Sequence, residues 1–251
     1  MTPKLGVQLY SLREELARDF DGVMAQVGGM GYAGVEPWGG LPVSAEHAAK
    51  TFQSHGLTVP SIHLGLLTGD DKQKNLDTAH AFGVQTIVLP YLPDSDFADE
   101  DSLKRAADKI SASAAVAHEA GFAYGYHNHS WEWNLIDGQA AFDRLTALLD
   151  ASIIFEVDTY WARVAGRDAA QVVAKLGSRA PLLHIKDGPA DSTQSPMVAV
   201  GDGVMNVEAI LNAGQPAWAV VELDRCATDM VEAVAASARY LLGKGWAQGK
   251  A

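Results

Sequence analysis

The chain has 251 residues, 48% of them hydrophobic, enough for one large core or two small ones and too apolar for a disordered chain. Its formal net charge of −12 leaves no basic stripe to neutralise phosphates, which argues against nucleic acid and against an anionic membrane surface. One cysteine, Cys226, excludes an internal disulfide framework, and neither a signal-peptide start nor an apolar run near the roughly 20 residues of a membrane helix is present, so a soluble cytoplasmic protein is expected.

Leu5–Tyr10 is short and bounded by polar residues, and predicts a strand. From Leu12 to Gly28, apolar residues recur at helical spacing (Leu16, Phe20, Val23, Met24, Val27), and Gly28-Gly29 ends the helix. Gly34–Pro37 is a second strand. Ser44 is the expected N-cap of a helix to Ser54, stopped by Gly56. Strands over 58–63, 85–89 and 122–127 alternate with helices over 72–82 and 101–120. The pattern continues with a helix over 140–149, a strand over 152–157, a helix over 168–176 and a strand over 181–185. A Gly/Pro/Ser/Asp-rich loop over 187–203 precedes a short helix over 207–212, a strand over 217–221 and a last helix over 230–242. Residues 243–251 form a small polar tail, expected to fray.

The strand ends fall near 10, 36, 63, 89, 127, 158, 184 and 222, which makes eight strand-then-helix units without a break in composition. Such alternation predicts a parallel sheet, and eight units predict a single-domain α/β fold, the (β/α)8 TIM barrel, over residues 1–251. A doubly wound open sheet would carry a Gly-rich phosphate turn after an early strand, and the turn after the first strand here has no glycine.

In such a barrel the active site lies at the C-terminal strand ends. Here those ends carry Gln8 and Tyr10, Glu36 and Trp38, His63, Tyr91, His127 with His129 and Glu132, Glu156 with Asp158, His184 with Lys186 and Asp187, and Glu222 with Asp224. Lone buried carboxylates are costly unless paired or coordinated, which favours a role for Glu36 and Glu222. Strand alternation puts Glu156 with Asp158, and His184 with Lys186, on common faces, and Asp158 lies nearer its strand end. Lys186 reads equally as the partner of a barrel carboxylate. Trp38, Trp131, Trp133 and Trp161 read as packing, with sugar-facing walls as the alternative.

Tyr126-His-Asn-His129 with Glu132, Asp158-Thr-Tyr-Trp161, His184-Ile-Lys-Asp187 and Val221-Glu222 together resemble the xylose-isomerase-like TIM barrels, the sugar phosphate isomerase/epimerases. The resemblance runs over nearly the whole chain. It implies a divalent metal held by Glu132, Asp158, His184 and Glu222. Three carboxylates and one histidine suit Mn²⁺ or Mg²⁺, with Co²⁺, Fe²⁺ or Zn²⁺ as other occupants. Many members place the first glutamate directly at the end of the fifth strand. Here Tyr126-His127 stands there and Glu132 lies further on, so His127 or His129 is the alternative ligand.

The activity implied is sugar isomerisation or epimerisation, by proton transfer next to a carbonyl through a metal-bound enediolate. Glu132 and Glu222 would be the acid/base pair, and His63 and Lys186 would bind hydroxyls or shuttle protons. Tyr10, Glu36, Trp38, His127, His129, Trp161 and Asp187 would contact substrate. The closest alternative is a dehydratase or lyase acting on inosose or 3-keto-sugars. An abasic-site endonuclease and a non-enzymatic sugar-binding protein are more distant ones. The expected partner is a small carbohydrate, without nucleic acid or membrane, and a homo-oligomer is allowed.

Overall fold

Lys4–Gln8 (β1), Gly34–Glu36 (β2), Ile62–His63 (β3), Thr86–Leu89 (β4) and Ala123–His127 (β5) are followed by a two-stranded hairpin, Leu135–Ile136 (β6) and Gln139–Ala140 (β7). Then come Ile154–Asp158 (β8), Leu182–Ile185 (β9) and Trp218–Val221 (β10). In the computed structural model, which describes residues 2–250, eight of these strands form one parallel sheet in the order β2-β1-β10-β9-β8-β5-β4-β3. Bridges between Gly34 and Thr58 and between Trp38 and His63 join its two edges, giving the expected (β/α)8 barrel, nearly closed. The strands are buried on both faces apart from some first residues, as parallel strands covered by helices must be.

The helices are Arg13–Arg18 (α1), Phe20–Gly29 (α2), Ala45–Ser54 (α3), Lys72–Phe82 (α4), Glu100–Glu119 (α5), Ala141–Leu148 (α6), Thr159–Val164 (α7), Ala169–Leu176 (α8), Val207–Ala213 (α9) and Met230–Gly243 (α10). Their apolar faces pack on the outside of the barrel. The single helix expected over 12–28 is divided at Asp19, whose backbone leaves the helix (φ −153°) and whose carboxylate accepts the Gly22 N–H at 2.9 Å. An aspartate satisfied as an N-cap competes with the helix it interrupts. Ser44 caps α3 as expected, accepting from the His47 N–H at 3.2 Å.

A hairpin and a helix that bear on the site lie outside the sequence prediction. The β6–β7 hairpin turns at Asp137-Gly138, both at positive φ (51° and 80°), the pairing that two-residue hairpins favour. Helix α7 starts immediately after β8, with the Asp158 carboxylate accepting the Trp161 N–H at 2.8 Å. A ligand-type residue at a strand end thus also starts a helix.

At the N-terminal end of the barrel the backbones approach closely. A Cβ on Gly34 would lie 2.5 Å from the Thr58 carbonyl and 2.9 Å from the Trp218 ring, so no larger residue fits. The polar tail is tied down here, against the expectation of a frayed end. Gln248 N–H donates to the Pro3 carbonyl and the Leu5 N–H to the Gln248 carbonyl, both at 2.8 Å, and Lys250 N–H donates to the Gly31 carbonyl at 3.2 Å. At the C-terminal end the inward positions are polar: Gln8, Glu36, Ser61, His63, His127, Glu156, Asp158, His184 and Glu222 are all buried.

Candidate active site

Parallel strands place all eight C-terminal ends on one side of the barrel, so residues far apart in sequence meet there. His184, on β9, is the hub. Its Nδ1 lies 2.7 Å from Glu222 Oε2 and its Nε2 lies 2.7 Å from Glu36 Oε2 and 3.1 Å from Glu156 Oε2. Glu36 also accepts from Gln8 Nε2 at 2.8 Å and from the Ser61 hydroxyl. Glu156 Oε2 accepts from His63 Nε2 at 2.5 Å and stands 3.3 Å from His127 Nδ1. One carboxylate therefore backs three imidazoles.

Lys186, also on the β9 side, is buried with its Nζ at 2.8 Å from Asp158 Oδ2, 2.7 Å from Glu222 Oε2 and 2.6 Å from Asp224 Oδ2. The common faces expected for Glu156 with Asp158, and for His184 with Lys186, are those observed.

The charges follow from these contacts. Burial opposes charge on His184, but Glu156 and Glu222 outweigh it and hold the imidazolium well above the usual histidine range. Burial likewise opposes the Lys186 ammonium, and Asp158, Asp224 and Glu222 more than offset it. Glu222 is buried too, yet Lys186 and His184 keep its carboxyl well below the usual range. His127 goes the other way: burial, then the neighbouring His184 charge, push it well below the usual range, so it stands as a neutral imidazole.

Two overlapping groups have ligand-type atoms within 4.8 Å of one another: His63, His127, Glu156 and His184, and His127, Asp158, His184 and Glu222. The first has its carboxylate oxygen already shared among three rings. The second includes three of the four residues that the sequence put at the metal, with His127 in place of Glu132. Glu132 does fold back and is fully buried, but its carboxylate accepts from the Tyr126 hydroxyl at 2.8 Å and the His129 N–H at 2.9 Å. The short helical turn Trp131–Trp133 holds it behind the fifth strand end, outside both groups.

A divalent ion fits the second group. All four residues are buried, they mix imidazole with carboxylate, and His127 Nε2 stands 3.8 Å from Asp158 Oδ2. Glu36 holds His184 by Nε2 and so directs Nδ1 towards Glu222, the arrangement by which a second carboxylate orients a ligating imidazole.

A cavity of about 490 Å³ opens over this cluster, with His63, His127, His129, Glu222 and Asp224 among its walls. Tyr10 and Trp38 line it as well. Glu36, Lys186 and Trp161, expected to touch substrate or move protons, are buried and are not among its walls. Asp187 has another place: its carboxylate accepts N–H groups from Gly188, Gly201 and Met205 at 2.9–3.0 Å and so organises the following loop. Asn128 was not singled out by the sequence reading. It donates to the Asp158 carbonyl at 3.3 Å and accepts the Asp158 N–H at 3.0 Å, fastening β5 to β8 where the site begins. Its place within the Tyr126–His129 motif was the signal for it.

A family model described as xylose isomerase-like TIM barrel matches residues 20–238. A search of curated proteins finds no match. Among solved structures, a sugar phosphate isomerase/epimerase from Parabacteroides distasonis superposes with a TM-score of 0.83 at 25% identity, over 99% of this chain and 96% of that one. A probable 3-DHS dehydratase from Bacillus anthracis gives 0.75 at 14% identity, over 95% and 98% of the two chains. A D-allulose 3-epimerase from Methylomonas gives 0.71 at 14% identity, over 97% and 98%.

Proposed function

The chain belongs to the xylose isomerase-like TIM barrel family, and from that premise we propose that it is a divalent-metal-dependent sugar isomerase or epimerase acting next to a carbonyl. The observation that carries the reading is the buried set His127, Asp158, His184 and Glu222, of which His127 and Glu222 line a cavity of about 490 Å³. The isomerase/epimerase description of the 25%-identical structure supports it. These four residues would hold the ion, and when bound it supplies a Lewis acid that polarises the substrate carbonyl. Two imidazoles in the set favour Mn²⁺, Co²⁺, Fe²⁺ or Zn²⁺ over Mg²⁺.

The protein's own groups then move the proton. Glu222 reaches the cavity as an ionised carboxylate, held so by Lys186 and His184, and takes the proton from the carbon beside the carbonyl. His129 lines the cavity from the fifth strand end and returns a proton. Return to the same carbon from the other face gives epimerisation, and return to the neighbouring carbon gives isomerisation. Glu132 accepts the His129 N–H at 2.9 Å and fixes that backbone, so its part is positioning rather than proton transfer.

The test is NMR in D₂O with Mn²⁺ over ketohexoses, inososes and 3-keto-glycosides. Solvent deuterium should enter the recovered sugar, and Glu222→Gln should slow this by about 10²–10⁴-fold. Full activity in that variant would remove Glu222 from the role. The cavity has room for more than one sugar ring, which favours a second reading in which the same proton loss is followed by departure of a β-oxygen substituent. Release of water or of an aglycone, without deuterium in recovered sugar, would establish that elimination instead.

A further inference from the structure

The cavity does not end at the metal-type cluster. Its floor is buried, whereas its mouth carries Tyr91 and Tyr10, 53% and 40% exposed, two of the five large hydrophobic side chains that stand exposed among the described residues. Both tyrosines are held. Tyr91 packs edge-on against Trp131 at 5.5 Å and against His129 at 5.7 Å. The Trp131 Nε1–H donates to the Leu92 carbonyl at 3.1 Å and anchors that group to the main chain. Tyr10 packs edge-on against Trp38 at 5.7 Å, with the Arg13 guanidinium 4.4 Å from its ring centre. The Gly40 backbone lies against Trp38, since a Cβ there would come within 2.5 Å of its Nε1.

A polar wall joins the two aromatic groups. Asp71, Lys74, Asn75 and Thr78 all line the cavity. They are spaced i, i+3, i+4 and i+7 from the N-cap of α4, which makes them one stripe of that helix. A helix that only covered a barrel would turn a polar stripe to solvent, whereas this one turns it over the mouth. A pocket of this volume suits a ligand larger than one sugar ring. Fixed aromatic faces beside a row of amide, hydroxyl and ammonium groups match a second sugar ring, which offers a C–H face and hydroxyls together.

We propose that the mouth is a second sugar subsite, formed by Tyr91, Tyr10 and the Asp71–Thr78 stripe of α4, so that the substrate is a glycoside whose further ring sits there while the reacting ring occupies the floor. The proposal rests on the sugar reading above and narrows it from free monosaccharides to glycosides.

Calorimetry on the Mn²⁺-loaded protein tests it with methyl α- and β-glucopyranoside against maltose and cellobiose. At least one disaccharide should bind about tenfold tighter than its methyl glucoside. Tyr91→Ala should bring that ratio close to one, Tyr91→Phe should keep it, and Asn75→Ala should lower it several-fold. Equal affinities for disaccharide and methyl glucoside, or a ratio that survives Tyr91→Ala, would overturn the subsite and leave the sugar reading standing. Binding of neither class would overturn the subsite, and the sugar reading would fall with it only if no ketohexose, inosose or 3-keto-glycoside took up solvent deuterium either.

Discussion

Lys186 Nζ is within 2.8 Å of carboxylate oxygens of Asp158, Glu222 and Asp224 while almost fully buried. A metal at His127, Asp158, His184 and Glu222 would draw on two of the same carboxylates, so the ammonium and the ion share one pool of negative charge. Replacing Lys186 by Met leaves three carboxylates facing one another without their cation. Removing one partner of a buried pair costs about 3–5 kcal/mol, because the remaining charge stays buried. Lys186→Met is therefore expected to lower the free energy of urea unfolding by that much in EDTA, with a matching fall in midpoint, and added Mn²⁺ should restore more stability in the variant than in the parent. An unchanged midpoint would mean that the carboxylates are neutralised without Lys186. Residue by residue, the sequence foretold the pairing of His184 with Lys186, because strand alternation alone puts them on one face. It did not foretell Glu132. Whether a carboxylate five residues past a strand end faces the mouth or the back depends on the Tyr126 hydroxyl and the His129 N–H that capture it, and spacing does not encode that capture.

The four residues of the candidate metal set come from the ends of four strands, β5, β8, β9 and β10, which are neighbours in that order around the sheet. An ion bound to all four would cross-link elements that otherwise meet only through backbone ladders and the buried network. Ligand at about 100 times its Kd adds about 2.7 kcal/mol to the folded state. Thermal unfolding should therefore shift upward by roughly 5–10 °C with Mn²⁺, at about 2–4 °C per kcal/mol for a domain of this size. His184→Ala should abolish the shift, and a shift that persisted in that variant would place the ion elsewhere. Asn128 supplies the clamp between the first two of these strands, bonding both the N–H and the carbonyl of Asp158. Asn128→Ala leaves those two buried groups unpaired at about 1–3 kcal/mol each, and the Mn²⁺-dependent shift should shrink as Asp158 loses its fixed position. An undiminished shift would show that the β8 ladder and the α7 cap suffice. The strands themselves were legible because their residues are apolar on both faces and bounded by Gly, Pro or polar residues. Helix α7 was not, because its start coincides with Asp158, which the sequence presents as the end of a strand.

At the scale of the molecule, eight repeats of strand and helix identify the barrel, because a parallel strand must be returned by a crossover and the count closes the ring. That logic places the active end but does not show which helix overhangs it. The stripe on α4 lies over the cavity only because of how that helix is set beside β3 and β4, a tertiary fact without a local sequence mark. The C-terminal tail is the other whole-molecule feature hidden from the sequence, since its composition is that of a free end. In the structure it completes the opposite pole. Gln248 takes a ladder position beside Lys4 and Leu5, Lys250 donates through its backbone to Gly31 and through Nζ to the Gly28 carbonyl at 2.5 Å, and Ala247 is buried. Three backbone hydrogen bonds of this kind contribute about 0.5–1.5 kcal/mol each. A chain ending at Gly245 should therefore unfold at a temperature lower by several degrees, with a matching fall in urea midpoint. The tail lies at the N-terminal ends of the strands and the metal-type cluster at their C-terminal ends. The Mn²⁺-dependent stabilisation of the shortened chain should consequently equal that of the full one, measured as the difference in midpoint with and without the ion. Loss of that increment along with the tail would show that the two poles of the barrel are coupled, and that the tail acts on the site through the length of β1 and β10.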